Sequence, residues 1–174
     1  MRASIRVTGV LLVLLLSMAA GCGYHLTNSR SGQLGTARTV WVPFFTNETI
    51  SPTAQTVLRR SFYDELHALR GLNPAAAMES ADLVMKARII SYSSKAASYN
   101  AIDRIHDYTL SLNVELEITK RGESVPLWKG QVQGSKQYPV NANLALQHNA
   151  EEEALDATAR LIAHKFISAL EETY

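Results

Sequence analysis

The sequence predicts an α+β fold in which two helices pack on one face of a four-stranded mixed sheet, in the order β-α-β-β-β-α. Three patterns predict it. From Tyr108 to Ile118 every even position is apolar or aromatic, while Thr109, Ser111, Asn113, Glu115 and Glu117 fill the odd ones. That period of two makes a strand with one core face and one wet face. Two stretches, roughly 52–70 and from 144 onward, instead carry apolar stripes at helical spacing. Short connections between the later strand candidates favour a meander, so both helices must cover the same side.

In chain order, Arg38 to Phe45 is rich in β-branched and aromatic residues and reads as the first strand, with Pro43 near its end where a missing N–H does least harm. Ser51-Pro52 offers a cap and a first-turn proline, and Val57, Leu58, Phe62, Leu66 and Leu69 share a face before Gly71. Ala81 to Tyr92 is the second strand, with Leu83, Met85, Ala87 and Ile89 inward and Lys86 and Arg88 outward. The alternating third strand ends in a Lys120-Arg121-Gly122-Glu123 turn, and Leu127 to Gln137 returns as the fourth, with Trp128 and Val132 inward. The closing helix carries Ala154, Leu155, Leu161, Ile162, Phe166, Ala169 and Leu170, with Glu151, Glu152 and Glu153 placed for its positive end. The β-α-β portion should cross over right-handed.

The first residues read differently. Arg2 and Arg6, the apolar run Val10 to Leu16 and the small pair Ala20-Gly21 form a leader, residues 1–21, expected to be removed by a signal peptidase. Its apolar core falls short of the roughly 20 residues that span a bilayer. Cys22 is the only cysteine, and directly behind the cut it can carry a diacylglyceryl thioether and an N-acyl chain, each buried CH2 adding about 0.8 kcal/mol of membrane affinity. An ordinary secretory leader with an incidental cysteine is the alternative, since Ala19 stands where Leu is usual in the bacterial lipobox. Gly23, not Asp, follows the cysteine, so delivery to the cell outer membrane is the default. Residues 22–37 form a lipidated polar tether and 38–174 a single domain. Taking Arg2 and Arg6 from the 17 basic residues leaves 15 against 16 acidic ones, a net charge of −1 for residues 22–174. That balance gives no bulk attraction to nucleic acid.

Catalysis needs convergent groups, and the sequence offers few. The five histidines make no HxxxH pair, and there is no GxGxxG or GxxxxGK[ST] loop, so neither a metal nor another cofactor is expected. His106 between Asp103 and Asp107 reads as a solvated turn before it reads as a base with its orienter. Ser91 to Asp107 is expected to form a long projecting hairpin. On it and on the neighbouring strand, Lys95, Arg104, Lys129 and Lys136 would lie beside Tyr92, Tyr99 and Tyr138. Cations among aromatic bodies suit a phosphorylated amphiphile. The same residues also describe a solvated sheet whose lysines guard its edges.

The run Gly21-Cys22-Gly23-Tyr24-His25-Leu26 resembles the mature N-terminus of the LptE family of lipopolysaccharide-assembly lipoproteins. Pro43-Phe44-Phe45 with Asn47, Ala81-Asp82-Leu83, the alternating strand and the acidic-start helix extend the likeness over nearly the whole mature chain. The resemblance implies two helices on a four-stranded sheet and a non-enzymatic role. It implies a lipoprotein anchored on the periplasmic side of the outer membrane that plugs the lumen of the β-barrel LptD in a 1:1 complex, assists its assembly, and binds lipopolysaccharide during insertion into the outer leaflet. Where the family carries basic lipid-binding residues, Asn100 and Gln147-His148 stand nearest here, so the four cations rest on the physical reading alone. An adaptor of another cell-envelope complex is the alternative.

Overall fold

The computed structural model describes residues 34–172; the leader, Cys22 and the tether up to Gln33 lie outside them. The elements are β1 (Thr39–Trp41), β2 (Thr46–Asn47), α1 (Ala54–Arg70), β3 (Asn73–Pro74), a 3-10 turn (Met78–Ser80), β4 (Leu83–Tyr99), β5 (Ile105–Lys120), β6 (Trp128–Pro139) and α2 (Leu144–Glu172). The strands form one mixed sheet in the order β3-β1-β4-β5-β6, with β2 also on β4. β1 and β2 run parallel to β4, and β4-β5-β6 is an antiparallel meander. The α+β class and the helix and meander order stand as the sequence predicts.

The strand count differs, six described strands against the expected four, for two local reasons. The first strand is broken in the middle. Pro43 has no N–H to give, and α1 takes the backbone of its neighbour: Tyr63 Oη accepts from the Val42 N–H at 3.0 Å, while Tyr63 Oη and Arg59 Nε donate to the Val42 carbonyl at 3.1 and 2.9 Å. The chain rejoins β4 only at Thr46. The other addition, β3, follows the end of α1. Gly71 adopts φ 65, and its N–H donates to the His67 carbonyl at 2.8 Å, which turns Leu72 into the core and lays Asn73 beside Thr39.

Helix boundaries shift for the same kind of reason. α1 starts at Ala54 rather than Pro52, because Asn47 holds Ser51 in a separate turn. Asn47 Nδ2 donates to the Ser51 carbonyl at 2.7 Å, and Asn47 Oδ1 accepts from the Thr49 N–H and hydroxyl. α2 is capped by Asn143, whose Oδ1 accepts from the Ala145 N–H at 2.9 Å. Glu151 to Glu153 are thus two turns into the helix, too deep to serve its dipole. Leu69 and Leu161, expected inside, are 46% and 39% exposed.

Both helices cover one sheet face. Phe45 beside β2, Phe62 on α1, Phe166 on α2 and Trp128 on β6 form an aromatic ladder, with successive centroids 5.5, 5.6 and 5.1 Å apart. Ion pairs Arg60–Asp156 and Arg70–Glu171 show the helices running in the same direction. α2 sits close on β6: a Cβ at Gly134 would lie 2.8 Å from Ile162 Cγ1 and 3.2 Å from the Thr158 carbonyl oxygen. The inward side of β5, from Leu110 to Ile118, is fully buried.

Asp82 fastens the point where the chain enters the sheet. Its Oδ2 accepts from the Arg38 N–H at 2.9 Å, the Thr39 N–H at 3.1 Å and the Thr39 hydroxyl at 3.0 Å. These donors, the Arg38 amide foremost, hold its carboxyl below the usual carboxylate range. A depressed folded pKa adds stability above the ordinary carboxylate value, and that stability is lost as pH falls through the folded value. Asp82→Asn should therefore melt below the wild type at pH 7, and the gap should narrow by pH 3 in a calorimetric pH series.

Candidate functional site

Above Ile89 the sheet loses its left-hand neighbours. β2 ends at Asn47, and from Ser91 to Tyr99 the outer edge of β4 has no strand partner among the described residues. β4 and β5 run on as the expected projecting hairpin, closed by Asn100, whose Oδ1 accepts from the Ile102 and Arg104 amides, and by Asp103 at φ 61. A bulge between Ile89 and Ser91 exchanges the faces of β4. Below it odd residues point to the helices. Above it Tyr92, Ser94 and Ala96 do, opposite Leu112, Leu110 and Tyr108.

Tyr92 and Tyr138 are consequently structural here. The Tyr92 hydroxyl donates to Glu151 on α2, and Ser94 Oγ lies 2.6 Å from Tyr138 Oη, whose ring stacks on Tyr108 at 5.7 Å. Burial, with the Glu151 carboxylate beside it, pushes the Tyr92 phenol well above its ordinary value, so it stays a neutral donor.

The four expected cations separate. Lys95 pairs across from Thr109 on the open face, and Lys136 across from Leu110 on the helix face, at the same level of the sheet. Arg104 is exposed at the hairpin turn. Lys129 is opposite Glu117, eight strand positions from the level of Lys95, about 26 Å at the usual rise. There it shares Glu117 with Lys86, each at 3.2 Å. Lys95, Arg104 and Lys136 thus belong to the hairpin end, and Lys129 does not.

The same end of the sheet exposes apolar side chains that the core does not use. Tyr99 and Ile102 on the hairpin are 60% and 70% exposed, and Leu144 at the start of α2 is 85% exposed, with Val140 and Leu146 also out. The Val140 N–H donates to the His106 carbonyl at 2.9 Å, which joins the start of α2 to the base of the hairpin tip. Sequence reasoning found Tyr99 but missed the leucines. Their signal was that Leu144 and Leu146 precede the apolar stripe.

The open face divides in two. Its lower half is a cross-strand lattice in which Arg88 bridges Glu48 and Glu115, and Glu117 bridges Lys86 and Lys129. Its upper half carries Ser91, Ser93, Ser111, Asn113, Gln131 and Gln133, with Asn113 Nδ2 donating to Gln131 Oε1 at 3.3 Å. This is a hydrated, nearly neutral surface.

A Ser–Asp–His cluster does form, from Ser98, Asp107 and His106. The Ser98 hydroxyl donates to Asp107 Oδ2 at 2.7 Å, and His106 Nδ1 lies 2.9 Å from the same oxygen. Both groups meet the carboxylate, and their hydrogen bonds hold its pKa low, that of His106 first. Hydroxyl and imidazole both bond the carboxylate, whereas in a catalytic triad the imidazole stands between the acid and the nucleophile. No cluster of His, Cys, Asp and Glu suited to a metal occurs among the described residues, and none of their helices is long and apolar enough to cross a membrane.

Residues 37–170 match the family model described as LptE, lipopolysaccharide-assembly. No curated protein sequence matches the chain. Among solved structures, the chain is similar to rare lipoprotein B from Shewanella oneidensis, with 14% identity, TM-score 0.52, and 78% of this chain and 96% of that one covered. A hypothetical protein from Chlamydia trachomatis gives 10% identity, TM-score 0.55, and 78% and 96% coverage. A putative lipoprotein from Caulobacter crescentus gives 15%, 0.52, and 72% and 87%. At these identities the structures share the fold.

Proposed function

The chain belongs to the LptE lipopolysaccharide-assembly family, and from that membership we propose that it is an outer-membrane lipoprotein, anchored through Cys22, that plugs and helps assemble the barrel LptD and binds lipopolysaccharide as it enters the outer leaflet. The role is binding and not catalysis. The observation that supports the lipid half of the reading is the hairpin end, which carries Lys95 on its open face, Lys136 on its helix face and Arg104 at its turn, together with the exposed Tyr99, Ile102 and Leu144. An amphiphile with phosphates and acyl chains asks for that mixture, with cations for the phosphate and apolar bodies for the chains. The neutral, hydroxyl- and amide-rich sheet face supports the barrel half, because a barrel lumen is polar and wet.

Replacing Lys95, Arg104 and Lys136 together by Ala should weaken lipopolysaccharide binding about tenfold or more, while the melting temperature stays within a few degrees. Lys129→Ala is the control and should bind as the wild type does. Unchanged binding by the triple variant removes the site from the hairpin end. For the barrel, the tagged full-length protein is extracted from outer membranes with detergent and its partners are weighed by mass spectrometry. A stoichiometric barrel is the expected result. Recovery of another envelope complex instead turns the chain into an adaptor of that machine.

A further inference from the structure

On the side of the domain where β1 and β2 separate, α1 presents a guanidinium whose orientation is already fixed. Arg59 Nε donates to the Val42 carbonyl at 2.9 Å. Its Cζ lies 4.6 Å from the centroid of the Phe44 ring and 5.3 Å from that of Tyr63. Tyr63 is tied to Val42 through both its donor and its acceptor. Arg59 Nη1 and Nη2 have no acceptor among the described residues, whereas the neighbouring Arg60 is committed to Asp156. Phe44, which flanks the guanidinium, is 65% exposed, although the next residue, Phe45, is in the core.

Arg59 Nε and Tyr63 serve the fold by holding Val42, but the outer amines of Arg59 and the Phe44 ring left in water beside them do not. We infer that Arg59, Phe44 and Tyr63 form a carboxylate receptor for a protein partner, the two outer amines of Arg59 gripping an Asp or Glu as a fork while Phe44 takes an adjacent apolar side chain. A planar guanidinium suits a bidentate carboxylate, and clamping it beforehand lowers the ordering cost of binding. Arginine and aromatic residues are also the types that dominate interface hot spots. A lipid surface fits less well. It calls for several clustered cations, and here Asp64 adjoins Tyr63 while Arg60 is turned away to Asp156, which it shares with Arg160.

The inference rests on the reading that this chain works against a barrel protein, which would supply the carboxylate. Full-length tagged wild type, Arg59→Ala, Arg59→Lys and Phe44→Ala are extracted from outer membranes, with melting curves to check that each variant folds. All three variants should retain the barrel about tenfold less than wild type does, since Lys keeps the charge and loses the fork. Equal retention by the folded variants overturns the receptor and leaves the barrel reading intact. If the wild type itself retains no barrel, that reading fails. The receptor is then decided by NMR of the full-length protein titrated with 3-phenylpropionate and with its uncharged amide. A saturable shift of the Arg59 Nε–H with the carboxylate alone upholds it, and no shift overturns it.

Discussion

Phe166→Ala should lower unfolding stability by about 3–5 kcal/mol, a drop in melting temperature of about 10–20 °C for a domain of this size. Phe166 is fully buried and is the rung of the aromatic ladder that touches both Phe62 of α1 and Trp128 of β6. Removing it opens a void between three elements whose backbones are held elsewhere: α2 against Gly134 and α1 by the Val42 contacts. The walls therefore cannot close over the gap, which places the cost in the upper part of the range for such truncations. Leu161→Ala, on the same helix but 39% exposed, should cost less than about 1 kcal/mol. Urea unfolding of the two variants side by side is the measurement. A loss at Phe166 as small as that at Leu161 would mean that the helices are held to the sheet by something other than this ladder.

Produced in excess of the proposed barrel partner, Cys22→Ser should appear mostly in the soluble periplasmic fraction, where the wild type stays in the membrane pellet. Each buried methylene of an acyl chain adds about 0.8 kcal/mol of membrane affinity, so copies made in excess of the proposed barrel, which no barrel holds, lose their hold on the membrane with the acyl chains; the domain's net charge of −1 after residue 21 gives no bulk attraction in their place. Because a serine cannot carry the thioether on which cleavage of a lipobox leader depends, the variant is exported behind an ordinary secretory leader, and its soluble form should melt like the wild-type domain. Fractionation by alkaline carbonate wash, followed by mass measurement of the N-terminal peptide, separates the outcomes. An unmodified wild-type cysteine, or a serine variant that resists the wash even in excess of the barrel, would refute lipidation as the anchor.

How far the sequence revealed this molecule can be argued residue by residue. The alternation from Tyr108 to Ile118 was readable because β5 is central and regular, so its pattern records only burial. β4 was readable as far as Ile89. Beyond it the bulge leaves no compositional mark, and Tyr92, whose parity would place it on the open face, turns to the helices to meet Glu151. The break at Val42 was hidden for a different reason: the groups that capture its backbone, Arg59 and Tyr63, are some twenty positions away. Of the region proposed as the site, the projecting hairpin was legible from its length. That Lys129 lies about 26 Å from the level of Lys95 was not legible, because residue type along a strand says nothing about distance from a turn. The receptor at Arg59 was not legible at all, since it exists only where a helix face crosses a broken strand.

The seat of α2 over Gly134 also sets a length. With the Thr158 carbonyl and Ile162 pressed onto a position that holds no side chain, sliding the helix by one turn, about 5.4 Å, would drive them against Val132 or Lys136 instead. The helix therefore has one axial stop. Its first two turns, from Leu144 to Ala150, are mostly exposed, and that stop sets where they lie along the helix axis. The glycine thus works as the zero mark of a ruler: a side chain there would alter how far Leu144 and Leu146 reach, some 20 Å away by helical rise, without touching either of them.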